Sequence, residues 1–253
     1  MIRRTVEDIA LAMTFTTLFP YPNNWIRTDR RLAEAIWAIP LIGGVIGSLG
    51  GGLMIVLSEI GFDPALCGVF AIAAMTLTTG ALHEDGLADF CDGIGGGCSV
   101  EHRLKIMHDS QIGTYGTLAL ILSFALLLSL IEELWYSLDA WHFLLVLISA
   151  KAISRSSSVL LFIFLLPARD DGLAVFFGRP GRVNLILTMI WPLCVAFTIL
   201  GLKAAALTCG ALTMTLIVAL IAYKYLGGYT GDVLGASIYL SLIASLTALK
   251  IVI

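Results

Sequence analysis

The sequence predicts an all-α, polytopic integral membrane protein, with about seven transmembrane helices and cytoplasmic active-site loops. Composition, recurring apolar runs and the distribution of charge between those runs carry this expectation. Of 253 residues, 58% are hydrophobic and 13% charged, against about 45–50% apolar and about 25% charged in an ordinary soluble domain. Apolar stretches near the roughly 18 residues that cross a hydrocarbon layer recur along the chain. They fall at 35–60, 64–82, 117–131, 141–166, 185–202, 204–223 and 234–253, in a single domain of residues 1–253.

The segment 6–19 is shorter and carries Glu7 and Asp8 at its start, which suits an interfacial or half-buried helix and leaves a full crossing open. Arg3 and Arg4 precede it as in a signal peptide, but the acids interrupt the apolar run and no small-x-small cleavage site precedes Pro20. The segment is therefore expected to be retained. In the next apolar run Gly43 and Gly47 stand at the spacing that lets two membrane helices approach closely. A phosphate-cradling loop is the weaker reading of this glycine-rich stretch, since no Gly-Lys-Ser/Thr follows.

Connections at 61–63, 132–139 and Lys203 carry little positive charge, whereas Arg27, Arg30, Arg31, Arg103, Lys105, Arg169, Arg179, Arg182 and Lys224 fall on the alternate set. An excess of basic residues marks cytoplasmic loops. The same loops hold the polar clusters at 83–116, 167–184 and 227–232, so chemistry and charge share one face. A net charge of −3 without a basic stripe argues against nucleic acid. Five cysteines stand singly with no Cys-x-x-Cys pair, so neither a zinc site nor a disulfide frame is indicated.

The densest chemistry is His83-Glu84-Asp85-Gly86-Leu87-Ala88-Asp89-Phe90-Cys91-Asp92-Gly93. On a helix, Asp85, Asp89 and Asp92 fall within roughly 60° of arc. Like charges so close repel unless a cation sits among them. Oxygen ligands select Mg²⁺, Mn²⁺ or Ca²⁺ over zinc, and Mg²⁺ commonly takes one or two carboxylates while substrate phosphates and water complete its shell. A solvated acidic helix end is the bland alternative, and it leaves the common face unexplained. His83 beside these acids is a hydrogen-bonding partner or a substrate contact.

Two further clusters follow. In Asp109-Ser110-Gln111-Ile112-Gly113, an acid and a hydroxyl precede a glycine whose N–H can reach an anion. Gly227-Gly228-Tyr229-Thr230-Gly231-Asp232 presents Thr230 and Asp232 from a tight loop, and reads equally as a plain interhelical turn. Lys151 and Arg155 lie one turn apart inside an apolar span, where an ionisable group faces a partner or a water-filled cavity. For Arg155 that partner is an acidic cluster or a phosphate. Arg169-Asp170-Asp171-Gly172, Arg179 and Arg182 contact a nucleotide phosphate or anchor helix ends. The string 171–176 faintly echoes 85–90, with Val175 where the first copy has Asp89.

The strings His83-x-Asp85-Gly86-Leu87-Ala88-Asp89-x-x-Asp92-Gly93, Ile106-Met107-x-Asp109-Ser110-x-x-Gly113 and Gly227-Gly228-x-Thr230-Gly231-Asp232-x-Leu234-Gly235-Ala236 occur in this order. Together they resemble the bacterial cobalamin synthase family, the adenosylcobinamide-GDP ribazoletransferases. Weaker likeness covers nearly the whole chain. Departures are Glu84, where the family usually has an apolar residue, His102 and His108 at commonly basic positions, and Gln111 for a frequent Arg.

The resemblance implies a transferase reaction. A ribose 3′-hydroxyl of α-ribazole, or of its 5′-phosphate, attacks the phosphate next to cobinamide in adenosylcobinamide-GDP, and GMP leaves. It also implies Mg²⁺, with Mn²⁺ as the alternative, held by Asp85, Asp89 and Asp92. Asp109 and Asp232 become further ligands or the base, Arg155 a catalytic cation, and His83, Ser110, Gly113, Thr230 and Gly231 substrate-contacting positions. The setting it implies is the cytoplasmic (inner) membrane of a bacterium, with the lipid bilayer, other cobamide-assembly enzymes and a second copy of the chain as candidate partners. Two other readings compete. A CDP-alcohol phosphotransferase shares the Asp-Gly-x-x-Ala opening but has Arg where Asp89 stands here, and its later acid spacing is absent. A cation transporter would place acids at mid-bilayer, whereas these cluster between spans.

Overall fold

The computed structural model describes residues 2–20, 31–169 and 178–253. Arg27, Arg30, Asp170, Asp171, Gly172 and the echo at 171–176 lie outside the described residues. α1 spans Ile2–Thr16 and α2 spans Leu32–Ala35, which passes through a 3-10 turn, Ile36–Ala38, into α3, Ile39–Glu59. Then follow α4 (Pro64–Thr78), α5 (Leu82–Gly96), α6 (Val100–Ile106), α7 (Thr114–Ser137), α8 (Ala140–Ser157) and α9 (Leu160–Phe164). The last three are α10 (Arg182–Leu200), α11 (Lys203–Leu226) and α12 (Gly231–Val252).

Among the described residues six segments are long and apolar enough to cross a membrane: Leu32–Glu59, Thr114–Ser137, Ala140–Phe164, Arg182–Leu200, Lys203–Leu226 and Gly231–Val252. The remaining expected crossing, at 64–82, is met by α4 taken with α5, a bent pair that makes a seventh span when counted as one. α4 ends at Thr78, and α5 leaves it at 88°. Gly80 and Ala81 both adopt left-handed backbone, φ 61° and 58°, which stops one helix and aims the next. The acids that follow could not continue into hydrocarbon without large cost. The acidic connection 83–116, expected as a loop, is therefore largely helical: α5 carries the acids, with Glu84 and Asp85 in its first turn, where the helix dipole favours negative charge.

α1 has 15 residues and falls short of a span, as its interrupted apolar run suggested. Its acids are buried at a helix junction: Trp37 Nε1 donates to Asp8 Oδ2 at 3.0 Å, and Arg3 pairs with Glu7 at 3.2 Å.

The small residues of α3 do what their spacing predicts. A Cβ at Gly47 would stand 2.5 Å from the Leu147 carbonyl oxygen, and one at Gly43 would stand 2.5 Å from that of Lys151. α3 therefore lies backbone against backbone along α8. A buried hydroxyl cluster ties α8 to α11 and α12, with Thr215 Oγ1 at 2.8 Å from Ser157 Oγ and 2.9 Å from Ser241 Oγ. Such bonds between membrane helices contribute on the order of 0.6 kcal/mol each.

The two ends of the bundle differ. At one, Lys250 Nζ donates to Ser137 Oγ at 2.8 Å and lies 3.6 Å from Glu133, which joins the C-terminal ends of α12 and α7. At the other, Tyr229 N donates to Leu166 O and Ala168 N to Tyr229 O, both at 2.9 Å. There Arg169 donates to the Leu104 carbonyl, and Arg103 Nη1 to that of Tyr225 at 3.5 Å. The three polar clusters of the sequence are thus stitched together at one end.

Candidate active site

A cavity of about 720 Å³ opens at that end between α5, α7, the segment after α6 and the turn before α12. α5 contributes Asp85 and Asp89, one helical turn apart on its pocket face. The segment after α6 contributes Asp109 and Ser110, and the last turn contributes Thr230, Gly231 and Asp232. Acids more than a hundred residues apart meet because α5 packs tightly on α12. A Cβ at Gly86 would lie 2.9 Å from the Asp232 carbonyl oxygen, so glycine permits the approach. Asp85, Asp92 and Asp232 are the charged neighbours of Asp89.

Local bonds aim these side chains. Thr230 caps α12 by accepting from Val233 N at 3.3 Å, while its hydroxyl donates to Asp232 Oδ2 at 3.1 Å. Asp109 Oδ1 accepts from Gln111 N at 3.1 Å and remains exposed. Arg169 and Tyr229 complete the polar wall, and Leu120 and Phe124 of α7 the apolar one. Burial pushes the Tyr229 phenol above its ordinary pKa, so it is a neutral donor at physiological pH.

The expected three-carboxylate face divides in the structure. Asp85 and Asp89 line the pocket, whereas both oxygens of buried Asp92 accept backbone N–H groups, from Gly113 at 2.7 Å and Gly116 at 2.9 Å. Gly113 thus meets a carboxylate of the chain itself. The 60° arc located three acids on one side of α5 but did not show that the start of α7 covers the last of them. Among the described residues no three His, Cys, Asp or Glu side chains cluster closely enough to hold a metal ion by themselves.

His83 and Arg155 also lie apart from the large pocket. They line a second cavity of about 150 Å³, for which Asp85 and Asp232 form a shared wall. Arg155, 2% exposed, donates from Nη1 to the Lys151 carbonyl at 3.3 Å. Arg155 therefore borders the smaller cavity and not the large pocket. Sequence reasoning missed Tyr229 and the α7 wall. Tyr229 could have been suspected from its place inside the Gly-Gly-x-Thr-Gly-Asp string, but Leu120 and Phe124 belong to a uniform apolar run that carries no local sign.

A family model described as cobalamin-5-phosphate synthase matches residues 8–250. The chain is 38% identical over 236 residues to an adenosylcobinamide-GDP ribazoletransferase of Bradyrhizobium diazoefficiens, covering 93% of this chain and 90% of that one. Proteins with the same description from Azorhizobium caulinodans and Rhizobium etli are 34% and 37% identical. They cover 92% and 98% of this chain and 91% and 98% of their own. No solved structure matches the chain.

Proposed function

The chain belongs to the cobalamin-5-phosphate synthase family, and on that premise we propose that the acid-lined pocket is where adenosylcobinamide-GDP meets the ribazole hydroxyl. The reaction is the nucleotide-loop assembly step of cobalamin synthesis, catalysed by a multi-pass membrane transferase. A new bond forms between the ribose oxygen and the phosphorus attached to cobinamide. The bond from that phosphorus to the GMP oxygen breaks, and the hydroxyl proton passes to a base. The observation that carries the assignment is the convergence of Asp85, Asp89, Asp109 and Asp232, from three distant segments, on one cavity. Its 720 Å³ suits the diphosphate and the ribose, leaving the corrin ring at the mouth.

The donor set fits a hard divalent cation. It is all oxygen, it is rich in like charge, and it lacks a complete protein cage, as expected where substrate phosphates supply the remaining ligands. Asp85 and Asp89, with substrate phosphates and water completing the shell, would hold Mg²⁺ or Mn²⁺, which when bound would neutralise charge on the diphosphate and the departing phosphate oxygen. Asp109 and Asp232 border the same cavity and are the carboxylates to which we assign receipt of the hydroxyl proton. Arg169 borders the same cavity with a guanidinium suited to a phosphate oxygen. Arg155 stands beneath the pocket, where the carboxylate it offsets is that of Glu84.

Protein in proteoliposomes with Mg²⁺, adenosylcobinamide-GDP and α-ribazole or its 5′-phosphate should release GMP and form the joined product in equal amounts, and a chelator should stop both. Transfer from a CDP-alcohol with none from adenosylcobinamide-GDP would overturn the assignment.

The bias of basic residues toward the pocket end supports a bacterial inner-membrane setting with the pocket facing the cytoplasm. Cys98 is exposed at that end and Ser137 at the other. With the remaining cysteines replaced by alanine, an impermeant thiol reagent added outside the cell should modify cysteine introduced by Ser137→Cys and spare Cys98. The reverse labelling pattern would invert the orientation.

A further inference from the structure

Three polar atoms beneath the acid pocket are buried without a hydrogen-bond partner: Glu84 Oε2, Arg155 Nε and Tyr239 Oη. Their residues are 6%, 2% and 2% exposed and come from three helices, α5, α8 and α12. The other oxygen of Glu84 accepts from Thr76 Oγ1 at 2.9 Å. Tyr239 Oη lies beside the Ser123 hydroxyl, whose proton goes to the Leu120 carbonyl at 3.1 Å. Ser123 can accept the phenol proton but does not donate to the phenol oxygen, which stays open as an acceptor. All three residues line one cavity of about 10 Å³, bordered also by Lys151 and Ser154. That is roughly the 10–15 Å³ that one water molecule occupies on this scale.

The chemistry of the lining selects the occupant. A carboxylate oxygen only accepts, an Nε–H only donates, and a phenol does either. A cation would face Arg155 and Lys151, and an anion would face Glu84. A water that donates to Glu84 Oε2, accepts from Arg155 Nε and exchanges one bond with Tyr239 Oη satisfies all three at once.

We propose that one ordered water fills this cavity and that, by joining Glu84 to Arg155 and Tyr239, it makes Glu84 a positioning residue for the acids of α5. Glu84 lines both this cavity and the reaction pocket, and Asp85 is its neighbour in the first turn of the helix. Loss of the bridge therefore shifts the turn that carries Asp85. The functional half of this proposal rests on the acid pocket being the reaction site.

A double-mutant cycle tests it, with Glu84→Gln, Tyr239→Phe and the pair assayed in proteoliposomes. Each single change should lower kcat and raise the Mg²⁺ concentration for half-maximal rate by about tenfold, the lower end for loss of an outer-shell partner. The pair should be no worse than the poorer single. Misfolding would lower the rate without moving the Mg²⁺ midpoint. If Glu84→Gln does not accumulate, Tyr239→Phe, which removes one hydroxyl at nearly constant volume, carries the kinetic arm. Unchanged midpoints, or losses that multiply in the pair, overturn the positioning role.

An experimental structure that resolves waters supplies a readout besides activity. One density peak within hydrogen-bonding reach of the three atoms is expected, and side chains closed directly onto one another overturn the water. Full activity in Asp89→Asn would instead sink the reading of the pocket, and would leave the density untouched.

Discussion

Asp89→Asn should lower kcat by more than about 100-fold, beyond the 10–100-fold typical for loss of an outer-shell partner at a metal site, with insertion and thermal stability unchanged. Asp89 is half-buried, lines the acid pocket and has three other carboxylates, Asp85, Asp92 and Asp232, as charged neighbours. Asn keeps the shape and removes the charge that balances a cation. Raising Mg²⁺ or Mn²⁺ should restore part of the rate, because mass action refills a weakened site. Asp63 is the control: it caps α4 at the far end of the bundle, accepting from Ala65 N at 2.9 Å, and Asn caps helices about as well as Asp. Asp63→Asn should therefore keep parental turnover. If Asp89→Asn matches the parent at limiting metal, the pocket does not hold the ion.

Asp92→Asn should fail differently. Asp92 is buried and takes two backbone N–H groups, from Gly113 and Gly116, on its two oxygens. Hydrogen bonds to a charged group contribute about 1.5–3 kcal/mol each. Asn offers one acceptor oxygen and turns an amide N–H₂ toward a donor. The start of α7, and with it the segment carrying Asp109 and Ser110, should loosen. Activity and thermal midpoint should fall together, and added Mg²⁺ should restore neither. A variant with a parental midpoint whose rate recovers with Mg²⁺ would make Asp92 a metal ligand instead.

The contrast between these acids marks how far the chain could be read unaided. Their spacing on α5 is a local property, visible as soon as helical periodicity is assumed. Whether a given carboxylate meets a cavity or a backbone N–H depends on what packs over it, and Asp92 is covered by residues more than twenty positions away. Arg155 illustrates the same limit. Its cost inside an apolar span announces a partner, but its place beside Glu84, outside the large pocket, follows from α12 packing on both α5 and α8. The 88° break had a sign in Gly80, yet its partner in left-handed backbone is Ala81, a residue whose type gives no warning.

The sequence by itself determined the helical membrane class, the crossings, the small-residue seam of α3 on α8, the family and the three strings that build the pocket. Each is written in nearest-neighbour chemistry, in hydropathy over a bilayer's length, helical spacing, or residue types at fixed offsets. Only the tertiary structure decided that the acidic segment turns aside as its own helix, that Asp92 clamps backbone while Asp85 and Asp89 line the cavity, and that Glu84, Arg155 and Tyr239 meet around one small void. Those outcomes depend on contacts between distant segments. Such contacts form where glycines at 47 and 86 let backbones touch, and where burial leaves each polar group only the partners its neighbours supply.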